Sequence, residues 1–343
     1  MSKGTILVTG GCGYIGSHTI VELIQSGYEV VCIDSLINSD QESLRGVEAI
    51  TGQAVKNINV DLAKDHAAAT IIELGIHFDG IIHFAALKSV GESVAEPLKY
   101  YSNNIKSLIA ALEIAGHYST PAFVFSSSCT VYGQTDQLPV HEDLPFMTAG
   151  SAYGRSKQMC EQIMMDACNA PGATGKVISL RYFNPAGAHA SHLLGESPIN
   201  VALNLVPVIT ETAIGKRDSL TVYGNDYDTR DGTCIRDFVH IMDLARAHVL
   251  ALDALLEGRQ KNIFEAYNLG IGKGVTVLEA IHAFEKVSGV ALNYSLGPRR
   301  EGVLPAMYAD NRKISEQLQW QPQFNIADIM RDAWAWEQVR SGK

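Results

Sequence analysis

Apolar runs and amphipathic stretches alternate along the first half of the chain. Residues 5–9, 29–33, 56–60, 80–85, 122–126 and 177–181 are short and apolar, and segments such as 17–25, 97–115 and 151–167 between them carry helical spacing or caps. Runs that are apolar throughout, rather than alternating, predict strands buried on both faces. Helices between them predict a parallel sheet with a helical layer on either side. Ligands of such sheets bind beyond the carboxyl ends of the strands. The residues found there are Gly10, Asp34, Asp61, Ala86, Ser128 and Asn184. After about residue 188 the rhythm changes. Strands thin out to 220–223 and 266–269, helices at 207–214, 242–256, 277–287 and 326–340 take over, and loops gain Gly, Pro and charge. The predicted division is a first domain over residues 1–188 and a smaller, helix-rich lobe over 189–343, with an approximate boundary and some interleaving of segments.

The first strand runs into Gly10-Gly11-Cys12-Gly13-Tyr14-Ile15-Gly16 and then into a helix. Residues 11–16 satisfy G-x-G-x-x-G, and Gly10, Gly13 and Gly16 also recur at every third position. Glycines at such a turn let backbone N–H groups approach a pyrophosphate at a helix N-terminus. The second strand ends at Asp34, 18 residues past Gly16, near the spacing of a carboxylate that takes the adenine ribose hydroxyls. A carboxylate there repels a 2′-phosphate, so NAD is expected rather than NADP. The fold class is then α/β: a Rossmann-type doubly wound parallel sheet with a smaller helix-rich C-terminal substrate lobe. Asp61 has two readings, a cap on the adenine pocket and a solvated strand-end acid. Phe84, Ala85 and Ala86 leave room for backbone to meet the cofactor, and Lys88 just beyond them can reach a phosphate or the nicotinamide ribose.

Tyr153 and Lys157 stand four residues apart on a predicted helix and share a face. One cation at ~4 Å with an effective dielectric of ~20 favours phenolate by about 4 kcal/mol. That is roughly three pKa units, enough to bring a tyrosine of pKa ~10 near neutrality. Lys157 is therefore expected to make Tyr153 a base for an alcohol proton. Ser126-Ser127-Ser128 closes the fifth strand. Ser128, the outermost, is the expected hydrogen-bond partner of the substrate oxygen and the phenol; local backbone bonding by these serines is the alternative.

Composition narrows the partners. The 343 residues are 46% hydrophobic and 19% charged, with core enough for one large or two moderate domains. A net charge of −10 without Lys/Arg runs argues against nucleic acid and anionic membranes. No run approaches the ~18–20 apolar residues of a membrane span. The opening Met1-Ser2-Lys3-Gly4 leads into no signal-peptide pattern, so a cytoplasmic location is expected. Cysteines at 12, 32, 129, 160, 168 and 234 form no Cys-x-x-Cys, and no Cys/His cluster has zinc spacing. Reduced thiols and no metal are expected.

Longer blocks carry a more specific signal. They are Gly10 to His18, His83-Phe84-Ala85-Ala86-Leu87-Lys88-Ser89-Val90-Gly91-Glu92-Ser93, and Ser126-Ser127-Ser128-Cys129-Thr130-Val131-Tyr132-Gly133. Others are Leu180-Arg181-Tyr182-Phe183-Asn184-Pro185, Tyr223-Gly224-Asn225-Asp226-Tyr227, Asp231-Gly232-Thr233, Arg236-Asp237-Phe238-Val239-His240 and Arg299-Arg300-Glu301-Gly302. Over nearly its whole length the chain resembles the extended short-chain dehydrogenases/reductases, in the branch that epimerises UDP-hexoses at C4.

That resemblance implies an isomerase performing NAD-dependent 4-epimerisation of UDP-Gal and UDP-Glc through a transient 4-ketosugar, with NAD tightly held and regenerated each turnover. It implies a homodimer formed through helices around 99–115 and 151–166. It places Tyr14, Ile15, Asn38, Ser39, Leu62, Asn103, Ser126, Tyr182 and Phe183 in the cofactor shell with Gly10, Gly13, Gly16, Asp34, Asp61, Phe84, Ala85, Ala86, Lys88, Tyr153 and Lys157. It assigns Lys88, Ser128, Tyr153, Asn184, Asn204, Leu205, Thr221, Val222, Tyr223, Arg236, Arg300, Val303 and Met307 to the UDP-sugar. Arg236 and Arg300 suit a diphosphate through forked donors, although Arg236 has a second reading as the surface partner of Asp237 or Asp231.

Two positions depart from the pattern. Val303 replaces the usual acid, leaving Glu301 or backbone to compensate. Met307 stands where a bulky tyrosine goes with plain hexoses and a small residue with N-acetylated ones too, so UDP-GlcNAc and UDP-GalNAc are expected as further substrates. The related 4,6-dehydratases carry acids where this chain has Cys129 and Thr130, which disfavours elimination. An NAD-sensing regulatory protein is the reading from another class; Ser128, Tyr153 and Lys157 together argue for an enzyme.

Overall fold

The computed structural model describes residues 2–173, 175–300 and 302–342. Its principal strands are β1 (Thr5–Thr9), β2 (Glu29–Ile33), β3 (Asn57–Ile58), β4 (Gly80–His83), β5 (Ala122–Ser128), β6 (Lys176–Tyr182), β7 (Asn184–Ala186), β8 (Leu220–Tyr223), β9 (Ile235–Arg236), β10 (Phe238–His240) and β11 (Phe264–Leu269). Helices α1 (Tyr14–Gln25), α2 (Glu42–Thr51), α3 (Ala67–Ile72), α4 (Val90–Ala95), α5 (Pro97–Tyr118) and α6 (Ala152–Asn169) connect the first six strands. Then come α7 (Leu205–Ala213), α8 (Ile241–Leu256), α9 (Val277–Ser288), α10 (Arg312–Leu318) and α11 (Ile326–Arg340).

Seven strands form one parallel sheet in the order β11-β6-β5-β4-β1-β2-β3. Both faces are covered, which explains why these strands are apolar without alternation. Ile6, Val8, Ile82, Val124 and Ile178 join a core that includes residues of α1 and α8. Their neighbours Leu7, Ile81, Phe123, Phe125 and Val177 join a second core with α3, α5 and α6. Gly80 lets α8 come close: a Cβ there would stand 2.6 Å from Leu252 Cδ1. The order of connection reverses between β1 and β4, and the crevice beyond those two strand ends is where a doubly wound sheet takes its ligand.

The later chain does not form a wholly separate lobe. Strand 266–269, expected in the second lobe, is a correction: as β11 it pairs with β6 at the edge of the main sheet. Helix α8 likewise packs on α1, β5 and β6. Nothing in local periodicity announces such a return, because sheet order is decided by long crossovers. The remaining segments build a smaller core from Val206 and Ile209 of α7, Leu220 and Val222 of β8, Ile281 and Phe284 of α9, and Ile329 and Met330 of α11. Capping boxes start two of its helices, Thr276 with Glu279 on α9 and Asn325 with Asp328 on α11.

Candidate active site

The glycine loop leaves β1 and enters α1 without a side chain in its interior. Gly10 has φ +71°, and a Cβ there would stand 2.8 Å from the Ala85 nitrogen beyond β4. A Cβ on Gly16 would collide with the Gly10 carbonyl, and one on Gly13 would stand 3.2 Å from the same oxygen. Asp34, ending β2, closes the loop from the other side. It accepts from Cys12 N at 3.0 Å, Leu36 N at 2.9 Å and Ser39 Oγ at 2.6 Å. Asn38 lies exposed on the loop after it. Asp61 accepts from Ala63 N at 2.9 Å and, with Ile37, Leu87 and Asn103, lines a cavity of about 460 Å³. Leu62 is buried beneath, in the core under α3 and α5.

Other expected cofactor residues tie elements together. The Tyr14 hydroxyl donates to the Gly187 carbonyl at 2.6 Å, and Ile15 packs on the sheet core. Phe84 lies against the His248 ring at 4.8 Å between centroids, while the Ala85 carbonyl accepts from Ser107 Oγ at 2.9 Å. Ala86 is half-buried just beyond, and Lys88 is exposed with its Nζ 4.0 Å from Glu196 Oε1. Tyr182 is buried; its hydroxyl bonds His248 Nε2, and Phe183 packs with Met307.

β5 delivers Ser128 and the first turns of α6 deliver Tyr153 and Lys157. The helix starts where it does because the Ser151 hydroxyl accepts from Gly154 N at 3.1 Å. Ser128 is buried, accepts from Thr130 N at 3.3 Å and lies near enough to the Tyr153 hydroxyl to favour its phenolate. Lys157 is also buried and donates to the Ser126 carbonyl at 2.6 Å; its Nζ lies 4.6 Å from the Phe125 ring centroid and 6.0 Å from that of Tyr153. Burial pushes the Lys157 ammonium down to about 8, with Cys160 and Glu161 opposing.

The expected neutral-pH phenol is corrected here. Burial of its hydroxyl pushes Tyr153 up to about 12, with Ser128 acting the other way. The ammonium is turned onto a carbonyl, and a dry hydroxyl favours its neutral form. From the ordinary 10.0 to about 12 opposes phenolate by about 3 kcal/mol.

On the substrate side, Asn184 opens β7, and its N–H donates to the Asp237 carbonyl at 2.9 Å. Thr221 and Tyr223 point outward from β8, whereas Val222 is buried in the lobe core and offers only backbone. The Arg300 guanidinium stacks 3.7 Å over the Tyr223 ring. Arg236 is registered beside Met307 and donates to Ile235 O at 2.6 Å and Leu304 O at 3.1 Å. The alternative pairing of Arg236 with Asp237 or Asp231 is not what the structure holds. Asp237 is buried and accepts from Ile271, Gly272 and Ala309 N–H groups, and Asp231 accepts from Thr233. Met307 is buried among Val131, Tyr132, Val140 and Phe183. The Val303 N–H turns back to Arg300 O at 3.4 Å, and Glu301 lies outside the described residues. Asn204 and Leu205 start α7, but the Asn204 amide donates to Glu196 Oε1 at 3.0 Å instead of capping the helix.

Sequence reasoning missed three residues. Asn104 clamps Leu87 through both N–H (2.8 Å) and carbonyl (3.1 Å) and reaches Ser156 Oγ at 3.0 Å. Its signal was a polar residue on the buried stripe of α5, which it shares with Ser107. Glu161 is wholly buried one turn beyond Lys157, so i+4 spacing could have found it. Glu196, which faces both Lys88 and Asn204, had no local signal. The Thr130 hydroxyl is buried without a partner among the described residues. Beside it, burial pushes the Cys129 thiol up to about 12. No group of residues suited to a metal occurs among the described residues.

Comparisons agree on the kind of molecule this resembles. The family model described as GDP-mannose 4,6 dehydratase matches residues 7–333. A curated relative from Dictyostelium discoideum, UDP-glucose 4-epimerase, is 45% identical over 97% of this chain and 96% of its own. The crystal structure of UDP-glucose-4-epimerase from Stenotrophomonas maltophila, with bound NAD and formylated UDP-arabinopyranose, superposes with a TM-score of 0.93 at 42% identity, covering 99% of both chains. The UDP-Glc/GlcNAc 4-epimerase from Campylobacter jejuni superposes with a TM-score of 0.82 at 38% identity, covering 98% of this chain and 99% of its own.

Proposed function

The chain belongs to the UDP-glucose 4-epimerases of the extended short-chain dehydrogenase/reductase family, and from that premise we propose which of its residues carry the NAD-dependent 4-epimerisation of UDP-hexoses. The residues present fit NAD. The cradle of Gly10, Gly13 and Gly16 admits only backbone, Asp34 is a carboxylate suited to ribose hydroxyls, and Asp61 and Asn103 line an adjoining cavity. Bound NAD supplies a hydride acceptor that gives the hydride back, and a positive ring charge that favours the phenolate.

Tyr153 takes the proton of the sugar 4-hydroxyl and returns it after inversion, so the net redox change is nil. Ser128 shares its hydrogen bond between that oxygen and the phenol. Lys157, fixed on the Ser126 carbonyl, holds a positive charge below the site. Arg236 and Arg300 grip the diphosphate and Tyr223 offers its ring to the base, while the sugar turns as a 4-ketosugar against Phe183 and Met307. The meeting of Ser128, Tyr153 and buried Lys157 beside a side-chain-free cradle carries this reading.

Elimination of the dehydratase kind has less support. It needs acids beside Ser128, and this chain offers a hydroxyl at Thr130 and a Cys129 thiol that stays neutral. The unbranched, adaptable Met307 supports a substrate range that includes UDP-GlcNAc and UDP-GalNAc. Exposed Val90, Val94, Leu98, Ile109 and Met159 on α4, α5 and α6 support a homodimer built through these helices. Six unpaired cysteines suit a reducing cytoplasm. The test is to incubate purified protein, with no added cofactor, with UDP-Gal and separately with UDP-GalNAc. We expect UDP-Glc and UDP-GlcNAc; a dehydrated sugar, or no conversion even with NAD supplied, would overturn the assignment.

A further inference from the structure

We propose that Glu161 is a positioning residue of this site. Its buried carboxylate locks the helix carrying Tyr153 and Lys157 to the strand carrying Ser128, and balances the charge of Arg181. The inference rests on the epimerase reading above.

The geometry is specific. Glu161 stands on α6, four residues beyond Lys157 and eight beyond Tyr153, and is wholly buried. Oε1 accepts from Ser127 Oγ of β5 at 2.6 Å, the residue next to Ser128. It also accepts from Ser179 Oγ at 2.9 Å and Arg181 Nε at 3.0 Å, both on β6, while Oε2 takes Arg181 Nη2 at 2.7 Å. One carboxylate thus registers three elements. Arg181 completes its donors on the Tyr132 hydroxyl at 2.9 Å and the Glu142 carbonyl at 3.2 Å. A buried pair of this kind is weak evidence for stability, because desolvation offsets the attraction. Its value here lies in where it sits.

Electrostatics gives the pair a second duty. Lys157 is faced by Tyr153, Cys160 and Glu161 from α6 and by His83 from β4. Of these, Glu161 is the carboxylate that helps keep Lys157 protonated. Removing it leaves the Arg181 guanidinium uncompensated and takes from Lys157 the carboxylate that favours its ammonium, so Lys157 then gives up its proton more readily.

The test compares kcat across pH for wild type, Glu161→Gln and the double variant Glu161→Gln/Arg181→Gln. In Glu161→Gln we expect the alkaline limb to move down by roughly one pH unit. KM should hold within about twofold and NAD should stay bound, since neither ligand touches Glu161. The double variant removes both charges, so its limb should return toward the wild-type position. A folded, NAD-retaining Glu161→Gln with an unmoved limb overturns the proposal. If that variant does not fold, Ser127→Ala removes one donor without stranding a charge. It should lower kcat roughly fivefold at constant KM, and an unchanged kcat would equally overturn the proposal. Absence of epimerisation in wild type would instead sink the functional reading, so the two failures are distinct.

Discussion

The two halves of the cleft treat their cations in opposite ways. Below the sheet ends, Lys157 and Arg181 are buried and fully engaged, one on the Ser126 carbonyl and the other on Glu161, Tyr132 and Glu142. In the smaller lobe, Arg236 rests on two carbonyls and Arg300 on an aromatic face, with no carboxylate on either among the described residues. A buried charge without partners costs several kcal/mol, on the order of 3–5 when one member of a pair is removed, so the first pair is necessarily fixed. The second pair keeps its positive charge available for an anion. Proton transfer is built where groups cannot shift, and the grip is built where charge has been left unspent.

Four measurements would break or sharpen that contrast. The largest effect comes from acid. His18, His83 and His248 are buried on α1, β4 and α8, and burial pushes them down to about 3, 3 and 4. Their folded values lie below the ordinary 6.5, so the stability they protect is full above pH 6.5 and is lost as pH falls toward those values. At pH 5 each costs about 2 kcal/mol, about 6 in all, against a typical total of ~5–15 kcal/mol. A thermal melt should therefore drop steeply between pH 6.5 and 5, and a flat profile would contradict the dry sheet core.

Next comes Tyr153→Phe, which removes the base while leaving the cradle intact. Turnover should fall roughly a thousandfold with NAD still bound by absorbance; activity within tenfold of wild type would refute the role. Arg300→Ala acts on the grip instead. Loss of a charge-assisted contact of ~2 kcal/mol predicts a roughly thirtyfold rise in KM for UDP-Gal with kcat nearly unchanged, and a collapse of kcat would show that the two halves are not divided as described. Met307→Tyr has the smallest effect. The ratio of activity on UDP-GalNAc to that on UDP-Gal should fall roughly fivefold, and an unchanged ratio would reduce Met307 to wall packing.

The parallel strands and most helices were legible because burial on both faces writes itself into the sequence as unbroken apolar runs. Ser128, Tyr153 and Lys157 were legible because four-residue spacing and a strand end fix where side chains go. Other features are set by distant partners. β11 belongs to the main sheet because it pairs with β6, a crossover that no local pattern encodes. Asn104 escaped notice because only the fold shows that its face of α5 meets Leu87 and Ser156. The phenol of Tyr153 is raised rather than lowered because burial outweighs its contact with Ser128, which spacing along a helix cannot reveal.

The edge position of β11 has a consequence for how the chain is made. Until residue 269 has left the ribosome, β6 offers a bare row of backbone donors and acceptors, an invitation to pairing with another chain. A truncated product ending at residue 188 would carry that open edge permanently. The segment 1–188 should therefore aggregate when expressed alone, and become well behaved only once the last strand is supplied.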